Sequence, residues 1–371
     1  MNFLSELNSV STRDYEKLGY LHNPFPIKGE VRPEIYVERP ELKRLRQHLI
    51  DFLSDKGNNK GGVWAVEGGG GVGKSNFLQH LAWELREAQL TGKLEHVAYQ
   101  YVPSQLIAPQ QLIENIIQAI GEEIFCQLLS ERPELPHSSK GTDLYRFFKA
   151  IRNMHSSLNS KGLEYSLKES ARFLMRWLSG HQTYVQDREQ YQIWSQERMP
   201  PAVAFPYLRK IMDCLESHNL LKKLILLLDE FEDVQSLKPA AKSEYIQALK
   251  GLINTFNGES LFVILAGREG SFTIIGEQYP SIASRWQLAP LSPITSANDA
   301  VKLAKAYQAF AHDAYLKQHK EDKEADQKQR LPNEDQIKII YADIKEARIP
   351  QRDMLQALYQ WVEKWVEDHK S

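Results

Sequence analysis

The feature that most constrains the fold of this chain is the run EGGGGVGKSN at residues 67–76. Four of the chain's 20 glycines stand here in succession. The apolar run 63–66 precedes them, and a segment with apolar residues at helical spacing (77–90) follows. A buried strand, a tight glycine loop and a helix in that order are typical of the first unit of a parallel α/β sheet. The run therefore predicts a shaped loop between two regular elements, and not a flexible hinge.

Residues 68–75 match the pattern G-x-x-x-x-G-K-[ST], which wraps a triphosphate. Glycine lets backbone N–H groups point inward and lets an anion approach the main chain without a Cβ clash. The first turn of the following helix adds unpaired N–H groups and a positive dipole end. Lys74 is predicted to lie between the β- and γ-phosphates of ATP, and Ser75 to coordinate Mg²⁺. The predicted nucleotide-binding residues are Gly68, Gly69, Gly70, Gly71, Val72, Gly73, Lys74, Ser75 and Asn76.

A second motif is the acidic pair in LILLLDE, residues 224–230. Parallel sheets bind their ligands at the carboxyl ends of the strands, where this pair is expected. Asp229 is predicted to hold Mg²⁺ through a water molecule, and Glu230 to polarise the attacking water as a general base. The alternative is a strand that ends in surface acids. Glu232 and Asp233 are interpreted as loop or helix-start acids of that kind.

Arginines are candidates for contact with the nucleotide phosphates. Arg268 follows the apolar strand predicted at 260–267 and is predicted to reach the γ-phosphate, with a surface salt bridge as the alternative. Arg285 is predicted to reach the nucleotide of a neighbouring subunit, with an ordinary packed arginine as the alternative. Arg348 and Arg352 flank the start of the last helix, and we expect Arg352 to fold back over the phosphates. The predicted catalytic residues are thus Glu230, Lys74, Arg268, Arg285 and Arg352.

The pattern of strands and helices predicts an α/β fold with a parallel sheet covered by helices on both faces. Four apolar runs are predicted strands, at 63–66, 96–103, 224–230 and 260–267. The long connection before the third strand is helix-like and rich in aromatic residues, which predicts a helical insertion. The predicted division is an N-terminal arm along the surface (1–35), an ATPase core (36–295) with the insertion at about 125–215, and a helical lid (296–371).

With these residues in view, the chain resembles the AAA+ group of P-loop ATPases, over about residues 36–120 and 221–371. It looks most like the branch of origin-recognition and initiator ATPases, transposition regulators and signal-transduction NTPases. The segments that carry the resemblance are YVERPELKRLRQHL, GGGGVGKS, LLLDE, SRW and PQRDMLQAL. The resemblance implies ATP hydrolysis, an arginine finger at Arg285, a sensor-2 arginine at Arg352, and subunits that assemble and act on a DNA-associated partner.

The predicted helical insertion carries a second resemblance, which covers fewer residues. FLMRWLSG followed by LLLDEFEDV is similar to ATPases of BREX-type phage-defence loci, which implies a role in antiviral defence. One feature departs from the AAA+ pattern. Where AAA+ enzymes usually carry Asn, Ser or Thr at the sensor-1 strand tip, this chain has Ala266, Gly267 and Arg268. Arginine there is closer to the signal-transduction NTPases and puts fast turnover in doubt.

The composition of the chain indicates which partners and which cellular compartment to expect for this protein. The formal net charge of −2 provides no global field toward nucleic acid or anionic membrane, so direct or partner-mediated contact with DNA stays open. No apolar run approaches the ~20 residues of a membrane span, and the N-terminus is polar with early acids, unlike a secretory signal. We therefore expect a cytoplasmic protein that does not act at a membrane.

Three functions remain to be weighed. In the first, a Mg²⁺-dependent ATPase forms a homo-oligomer or hetero-complex through Arg285 and the insertion, and remodels, loads or regulates a partner. In the second, the chain is a slow or non-hydrolysing switch that exposes or hides a partner surface when ATP binds. The third, a small-molecule kinase, is disfavoured by the Asp-Glu strand tip and the all-helical C-terminal region.

Overall fold

A five-stranded sheet runs through the fold in the order β2-β3-β4-β1-β5. In the computed structural model the strands are β1 (Val63–Gly68), β2 (Val97–Val102), β3 (Lys223–Leu228), β4 (Leu261–Arg268) and β5 (Trp286–Pro290). The structure describes residues 15–27, 30–54, 60–103, 108–135, 139–156, 160–194, 199–256, 258, 260–319, 330–344 and 348–369.

The central strands are parallel and buried. β2 pairs with β3 along its whole length, and β3 pairs with β4 from Leu224 onward. Every residue of β3 is buried, as is every residue of β4 except Arg268 at its end. Strands covered by helices on both faces have near-continuous apolar sequences, which is what these runs show. The predicted α/β class with a parallel sheet is confirmed.

The sequence predicts four of these strands and misses β5. In β5 only Ala289 is buried, while Gln287, Leu288 and Pro290 are exposed. The strand lies at the edge of the sheet, so it needs neither a buried apolar run nor a regular alternation. Without such a pattern the sequence carries little strand signal there.

Helices make up most of the remaining described chain. They are α1 (Lys43–Leu53), α2 (Lys74–Leu90), α3 (Pro109–Ser130), α4 (Asp143–His155), α5 (Ser160–Leu178), α6 (Val185–Gln190), α7 (Pro201–Ser217), α8 (Pro239–Phe256), α9 (Ser271–Gln278), α10 (Pro280–Ala283), α11 (Ala297–Gln318), α12 (Glu334–Asp343) and α13 (Gln351–Asp368). Among the residues described, none of these helices is long and apolar enough to cross a membrane.

The chain divides into two compact units, and the larger comprises residues 44–66 and 84–289. Its core joins the sheet to helices that include α3, α5, α7 and α8. Helices α3 to α7 fill the long connection between β2 and β3. Aromatic rings pack these helices together: the Phe173 and Tyr191 ring centroids are 4.4 Å apart, and those of Phe147 and Tyr191 are 5.3 Å apart. The insertion region thus shares one core with the sheet.

The smaller unit comprises residues 1–43, 67–83 and 290–371. It therefore combines the glycine loop and the first part of α2 with the C-terminal helices. Its core is built from α11, α12 and α13 together with four large side chains of the N-terminal segment, Tyr15, Leu18, Tyr20 and Phe25, all buried. These four side chains are therefore an integral part of this core, because an arm lying along the surface would leave such large apolar groups in water.

Candidate functional site

The glycine loop spans residues 69–73, because β1 ends at Gly68 and α2 begins at Lys74. Gly71 and Gly73 have φ angles of +75° and +107°, a region that side chains with a Cβ rarely adopt. At Gly70 the surroundings are open, since a Cβ there would meet no atom of the described residues within 4 Å. Two glycines thus shape the loop, and a third leaves the main chain accessible to an anion.

Backbone hydrogen bonds hold the loop against the C-terminal segment. The Leu291 N–H donates to the Glu67 carbonyl oxygen at 2.7 Å, and the Arg352 N–H donates to the Gly71 carbonyl oxygen at 3.0 Å. The first bond lies just before the loop and the second lies within it. The loop is therefore a fixed structure whose position depends on the first turn of α13.

Of the two arginines near the start of α13, the structure brings Arg352 to the loop. Its Cβ and Nε lie 3.0 and 3.4 Å from the position that a Cβ on Gly71 would occupy. Arg348 is exposed, and no hydrogen bond or ion pair joins it to another described residue. Arg352 therefore packs closely on the loop, with its cationic side chain beside Gly71.

Lys74, Ser75 and Asn76 form the first turn of α2. The Lys74 Nζ donates to the carbonyl oxygens of Gly68 and Gly69 at 2.8 and 2.9 Å, so its ammonium group lies on the loop. The Asn76 Nδ2 donates to the Ile35 carbonyl oxygen at 3.1 Å. Lys74 is thus placed for phosphate contact, while the Asn76 amide holds the N-terminal segment.

Gln351 is a residue at this loop that the sequence analysis did not single out. Its Oε1 lies 2.5 Å, and its Cδ 3.3 Å, from the position that a Cβ on Gly73 would take. The side-chain amide therefore lies directly beside the last glycine before Lys74. The only sequence signal was its position next to Arg352.

The residues of this unit fit a triphosphate. Anion binding at a helix N-terminus requires unpaired N–H groups, glycines that allow close approach and cationic side chains. The first turn of α2, the loop glycines, Lys74 and Arg352 provide all three. The donor set is neither apolar nor acidic, so it suits phosphate oxygens.

The larger unit contains the acidic pair at the end of β3. Asp229 is buried, with 3% of its surface exposed. Its Oδ1 accepts the Glu230 N–H at 3.0 Å and its Oδ2 accepts the Tyr101 hydroxyl at 3.2 Å. Its own N–H donates to the Val102 carbonyl oxygen at 3.0 Å. Asp229 is therefore an oriented carboxylate at the carboxyl ends of β2 and β3.

Mg²⁺ is held in proteins by one or two carboxylates together with substrate phosphates and water. Among the residues described, no group of three or more His, Cys, Asp or Glu side chains forms a metal cluster. A single oriented carboxylate, Asp229, matches the first of these requirements. The donor set thus fits Mg²⁺ delivered with a nucleotide better than a metal caged by protein alone.

Glu230 lies beyond the strand in a left-handed conformation, with φ 54° and ψ 38°. Its side chain is exposed. Partial desolvation of its carboxyl group, followed by the neighbouring carboxylates Asp233, Asp229 and Glu232, raises the pKa of Glu230, and the Arg268 charge opposes that shift. A raised pKa makes the carboxylate a stronger base, as proton abstraction from water requires.

Arg268, at the end of β4, is bound by Glu232. The Arg268 backbone N–H donates to Glu232 Oε2 at 3.1 Å, and its Nε donates to Glu232 Oε1 at 3.0 Å. The arginine side chain is 76% exposed and that of the glutamate 18% exposed. The surface salt bridge that the sequence analysis gave as the alternative for Arg268 is therefore present. Its partner is Glu232, which the sequence analysis interpreted only as a loop or helix-start acid.

Arg285 lies elsewhere in the larger unit. Its Nε donates to Asn254 Oδ1 at 3.0 Å and its Nη1 donates to the Ser281 carbonyl oxygen. It lines a cavity of about 260 Å³ that also reaches Val63 and Leu261, the first residues of β1 and β4. At about 3.3 Å per residue, this end of β4 is roughly 23 Å from its last residue. Arg285 therefore lies at the opposite end of the strand from Arg268.

No protein-family model and no curated protein matches the chain. Several solved structures are similar to this chain. The ORC2 protein of Aeropyrum pernix in its ADPNP–ADP complexes has a TM-score of 0.42 and 14% identity, covering 93% of this chain and 74% of that one. Its ADP form has a TM-score of 0.40 and 15% identity, covering 94% and 72%. The Walker-type ATPase of Pyrococcus abyssi has a TM-score of 0.37 and 12% identity, covering 93% and 79%.

The first two structures are of an ORC protein and the third is of a Walker-type ATPase. Their identity to this chain is below 25% and their TM-scores are below 0.5. The function proposed below therefore rests on the geometry of the chain's own residues.

Proposed function

We propose that this chain binds ATP with Mg²⁺ and hydrolyses it as an AAA+-type ATPase. The observation that carries the proposal is the loop at 69–73. Two glycines at positive φ, the N-terminus of α2, the Lys74 ammonium group and the first turn of α13 all converge on this one loop. Each of these favours a bound polyphosphate, through backbone donors, helix dipoles or formal charge.

The proposed chemistry assigns one role to each polar side chain. When bound, Mg²⁺ supplies positive charge that offsets the charge of the transferring phosphoryl group. The Ser75 hydroxyl and the Asp229 carboxylate are its proposed protein ligands. Glu230 accepts a proton from the attacking water, a role that its raised pKa supports. The proposed contacts to the phosphoryl group itself are Lys74, Arg268, Arg352 and a neighbouring subunit's Arg285.

Assembly is part of the proposal because of where Arg285 lies. At the amino end of its own sheet, Arg285 is far from Arg268 and from any ligand bound at the carboxyl ends of the strands. A contact with nucleotide would then come from a second copy or another subunit, with the helical insertion as further interface. We propose that such an assembly remodels, loads or regulates a DNA-associated or defence-complex partner in the cytoplasm.

A second candidate, the nucleotide-dependent switch, is favoured by the pairing of Arg268 with Glu232. The Glu232 carboxylate accepts one hydrogen bond from the Arg268 backbone N–H and one from its guanidinium Nε, so it fixes the backbone and partly offsets the charge of this arginine. An arginine held in this way contributes less to a developing phosphoryl charge, because its own charge is already partly compensated. In that case ATP would still bind, with little turnover, and change the surface presented to a partner.

Phosphate release by the wild-type protein distinguishes these two functions. We expect Mg²⁺-dependent release from ATP, and a faster rate at low salt if double-stranded DNA is an effector. The rate is measured with and without DNA at two salt concentrations, alongside ATP affinity by titration calorimetry. Binding without turnover in every condition would support the switch, and a rate indifferent to DNA at low salt would contradict DNA stimulation.

Replacing Arg352 with alanine should weaken ATP binding by about 10- to 100-fold, since a hydrogen bond to a charged group contributes about 1.5–3 kcal/mol. The measurement is the dissociation constant for ATP. Arg348→Ala is the matched control, because Arg348 lies near the start of the same helix, is exposed and has no described partner. Equal effects of the two changes would contradict a specific role for Arg352.

A further inference from the structure

The guanidinium group of Arg285 is held by two acceptors that carry no charge. Its Nε donates to the Asn254 Oδ1 at 3.0 Å, and its Nη1 donates to the Ser281 carbonyl oxygen. Among the residues described, no carboxylate forms an ion pair with Arg285. Arg268 is the opposite case, because its Nε lies 3.0 Å from a carboxylate oxygen of Glu232. Arg285 is therefore fixed in direction, while no described acid offsets its positive charge.

The backbone that carries Arg285 is fixed as well. Its N–H donates to the Ile282 carbonyl oxygen at 2.9 Å, and Ile282 is fully buried. The next residue, Trp286, packs edge-on against two buried rings, with its ring centroid 5.4 Å from that of Phe272 and 6.4 Å from that of Phe231. The remaining freedom of Arg285 thus lies in its side chain, which the two acceptors hold.

Of the two acceptors, only the Asn254 side chain can be removed by a substitution. Ser281 contributes its main-chain carbonyl oxygen, so that bond does not depend on the Ser281 side chain. Asn254 is exposed and lies in the last turn of α8, an element distant in the sequence from Arg285. An arginine only donates hydrogen bonds, so the amide turns its oxygen toward the Nε. The Asn254 bond therefore orients the guanidinium from a second element of the fold.

Open space adjoins this Asn254–Arg285 pair. Both residues line the cavity of about 260 Å³, together with Gly61, Gly62 and Gly258. Glycines leave that part of the wall without side chains. A guanidinium has five N–H groups, and the two bonds described leave the others available. An anionic group that approaches from outside thus finds both room and hydrogen-bond donors beside Arg285.

We propose that Asn254 is a positioning residue for Arg285, and that the pair presents an uncompensated guanidinium to the phosphates of ATP bound by a second copy of the chain. The inference rests on the proposed function, since it takes Arg285 as the arginine that reaches a neighbouring subunit's nucleotide. It adds a residue that no motif of the sequence indicates, and a reason for its chemistry. A neutral amide orients the guanidinium without reducing its charge, whereas a carboxylate there would orient it and also offset its charge.

Mixed assemblies of two variants, each expected to be nearly inactive alone, test the pair. Glu230→Gln removes the proposed base but keeps Arg285, whereas Arg285→Ala keeps the base but offers no guanidinium. The two chains carry different affinity tags, are co-expressed and are purified through both tags in succession. Phosphate release is expected to exceed that of either variant alone by about 100-fold or more, since an arginine supplied by a neighbour contributes about 10³–10⁵-fold to phosphoryl transfer.

Asn254→Asp is then placed in one of the two chains at a time. In the Glu230→Gln chain, which donates Arg285, it is expected to lower kcat by about tenfold with an unchanged KM for ATP, because the carboxylate keeps the hydrogen bond but offsets the charge. In the Arg285→Ala chain it is expected to change neither constant. Asn254→Ala in the donating chain should also lower kcat by about tenfold, because the guanidinium loses its alignment.

Gln247→Glu and Gln247→Ala are the matched controls. Gln247 is an exposed amide earlier on α8, so it reports the general effect of a new charge or a lost side chain on this helix. Both changes should leave the rate of the mixed assembly unaltered, and the melting temperature of each nucleotide-free variant is recorded. A purely structural Asn254 would tolerate aspartate, which accepts the same bond. An undiminished rate with Asn254→Asp in the donating chain would therefore overturn the proposal.

The outcomes also separate this inference from the proposed function. If the wild-type protein never hydrolyses ATP, the proposed ATPase fails and the inference with it. If the wild type hydrolyses ATP but no assembly carries both tags, or the mixed assembly shows no gain, the ATPase stands and the role of Arg285 toward a second copy is overturned together with the pair. If the gain appears but Asn254→Asp acts equally in either chain, Asn254 is not a positioning residue for Arg285.

Discussion

Replacing Lys74 with alanine is expected to weaken ATP binding by 100-fold or more. The ammonium group lies 2.8 Å from the carbonyl oxygen of Gly68, the last residue of β1, and 2.9 Å from that of Gly69, the first residue of the loop. It is therefore already held where the phosphates would meet the loop. Removing it deletes the formal positive charge closest to the loop backbone, and charge-assisted hydrogen bonds are about twice as strong as neutral ones. The measurement is ATP affinity by calorimetry, with phosphate release as a second readout.

The control for this change is Lys93→Ala. Lys93 is an exposed lysine that follows the end of α2, so it reports the general effect of losing one positive charge. Because the Lys74 Nζ also binds the loop, the melting temperature of the nucleotide-free variant must be compared with that of the wild type. A folded Lys74→Ala protein that binds ATP as tightly as the wild type would contradict the proposed site.

Replacing Glu230 with glutamine is expected to lower the rate of ATP hydrolysis by 100-fold or more while leaving ATP affinity within about threefold of the wild type. General base catalysis contributes about 10²–10⁴-fold to a rate, and the neutral amide cannot accept the proton. Glu269→Gln is the matched control, an exposed acid that follows the end of β4. Loss of ATP affinity equal to the loss of rate would show that Glu230 binds nucleotide and does not act as the base.

The pH profile supplies an independent test of the same residue. Partial desolvation and the carboxylates of Asp233, Asp229 and Glu232 raise the pKa of Glu230, while the Arg268 charge lowers it. The base acts in its deprotonated form. As the pH is lowered, activity should therefore begin to fall at a higher pH than it would with a glutamate of ordinary pKa. Removing Arg268 should move this acid limb further upward. An acid limb at the ordinary glutamate pKa would contradict the assignment.

Much of the candidate site was readable from the sequence because its residues are adjacent in the chain. The glycines, Lys74 and Ser75 occupy one short loop and the helix that follows it, and the acidic pair directly follows an apolar strand. Local spacing decides which backbone N–H groups can face an anion, so the motif carries its own geometry. The central strands were predicted for a similar reason, since burial on both faces leaves a continuous apolar run.

Other features had no local signal. β5 is mostly exposed at the edge of the sheet, so no apolar pattern marks it. The N-terminal segment looked like a surface arm because its prolines interrupt any periodicity, yet Tyr20 and Phe25 are buried against helices from the far end of the chain. Contacts between segments so distant in sequence depend on how the whole chain packs, and no window of sequence contains both partners.

The sequence by itself determined the chemical groups available to this protein: a glycine loop with the pattern G-x-x-x-x-G-K-[ST], its lysine and hydroxyl, and an acidic pair. Only the tertiary structure decided which other side chains serve that loop. It placed Arg352 and Gln351 on the loop, paired Arg268 with Glu232, and located Arg285 at the other end of the sheet. The physical reason is that charge and hydrogen-bonding capacity belong to each residue, whereas the partners that use them are set by the packing of distant segments.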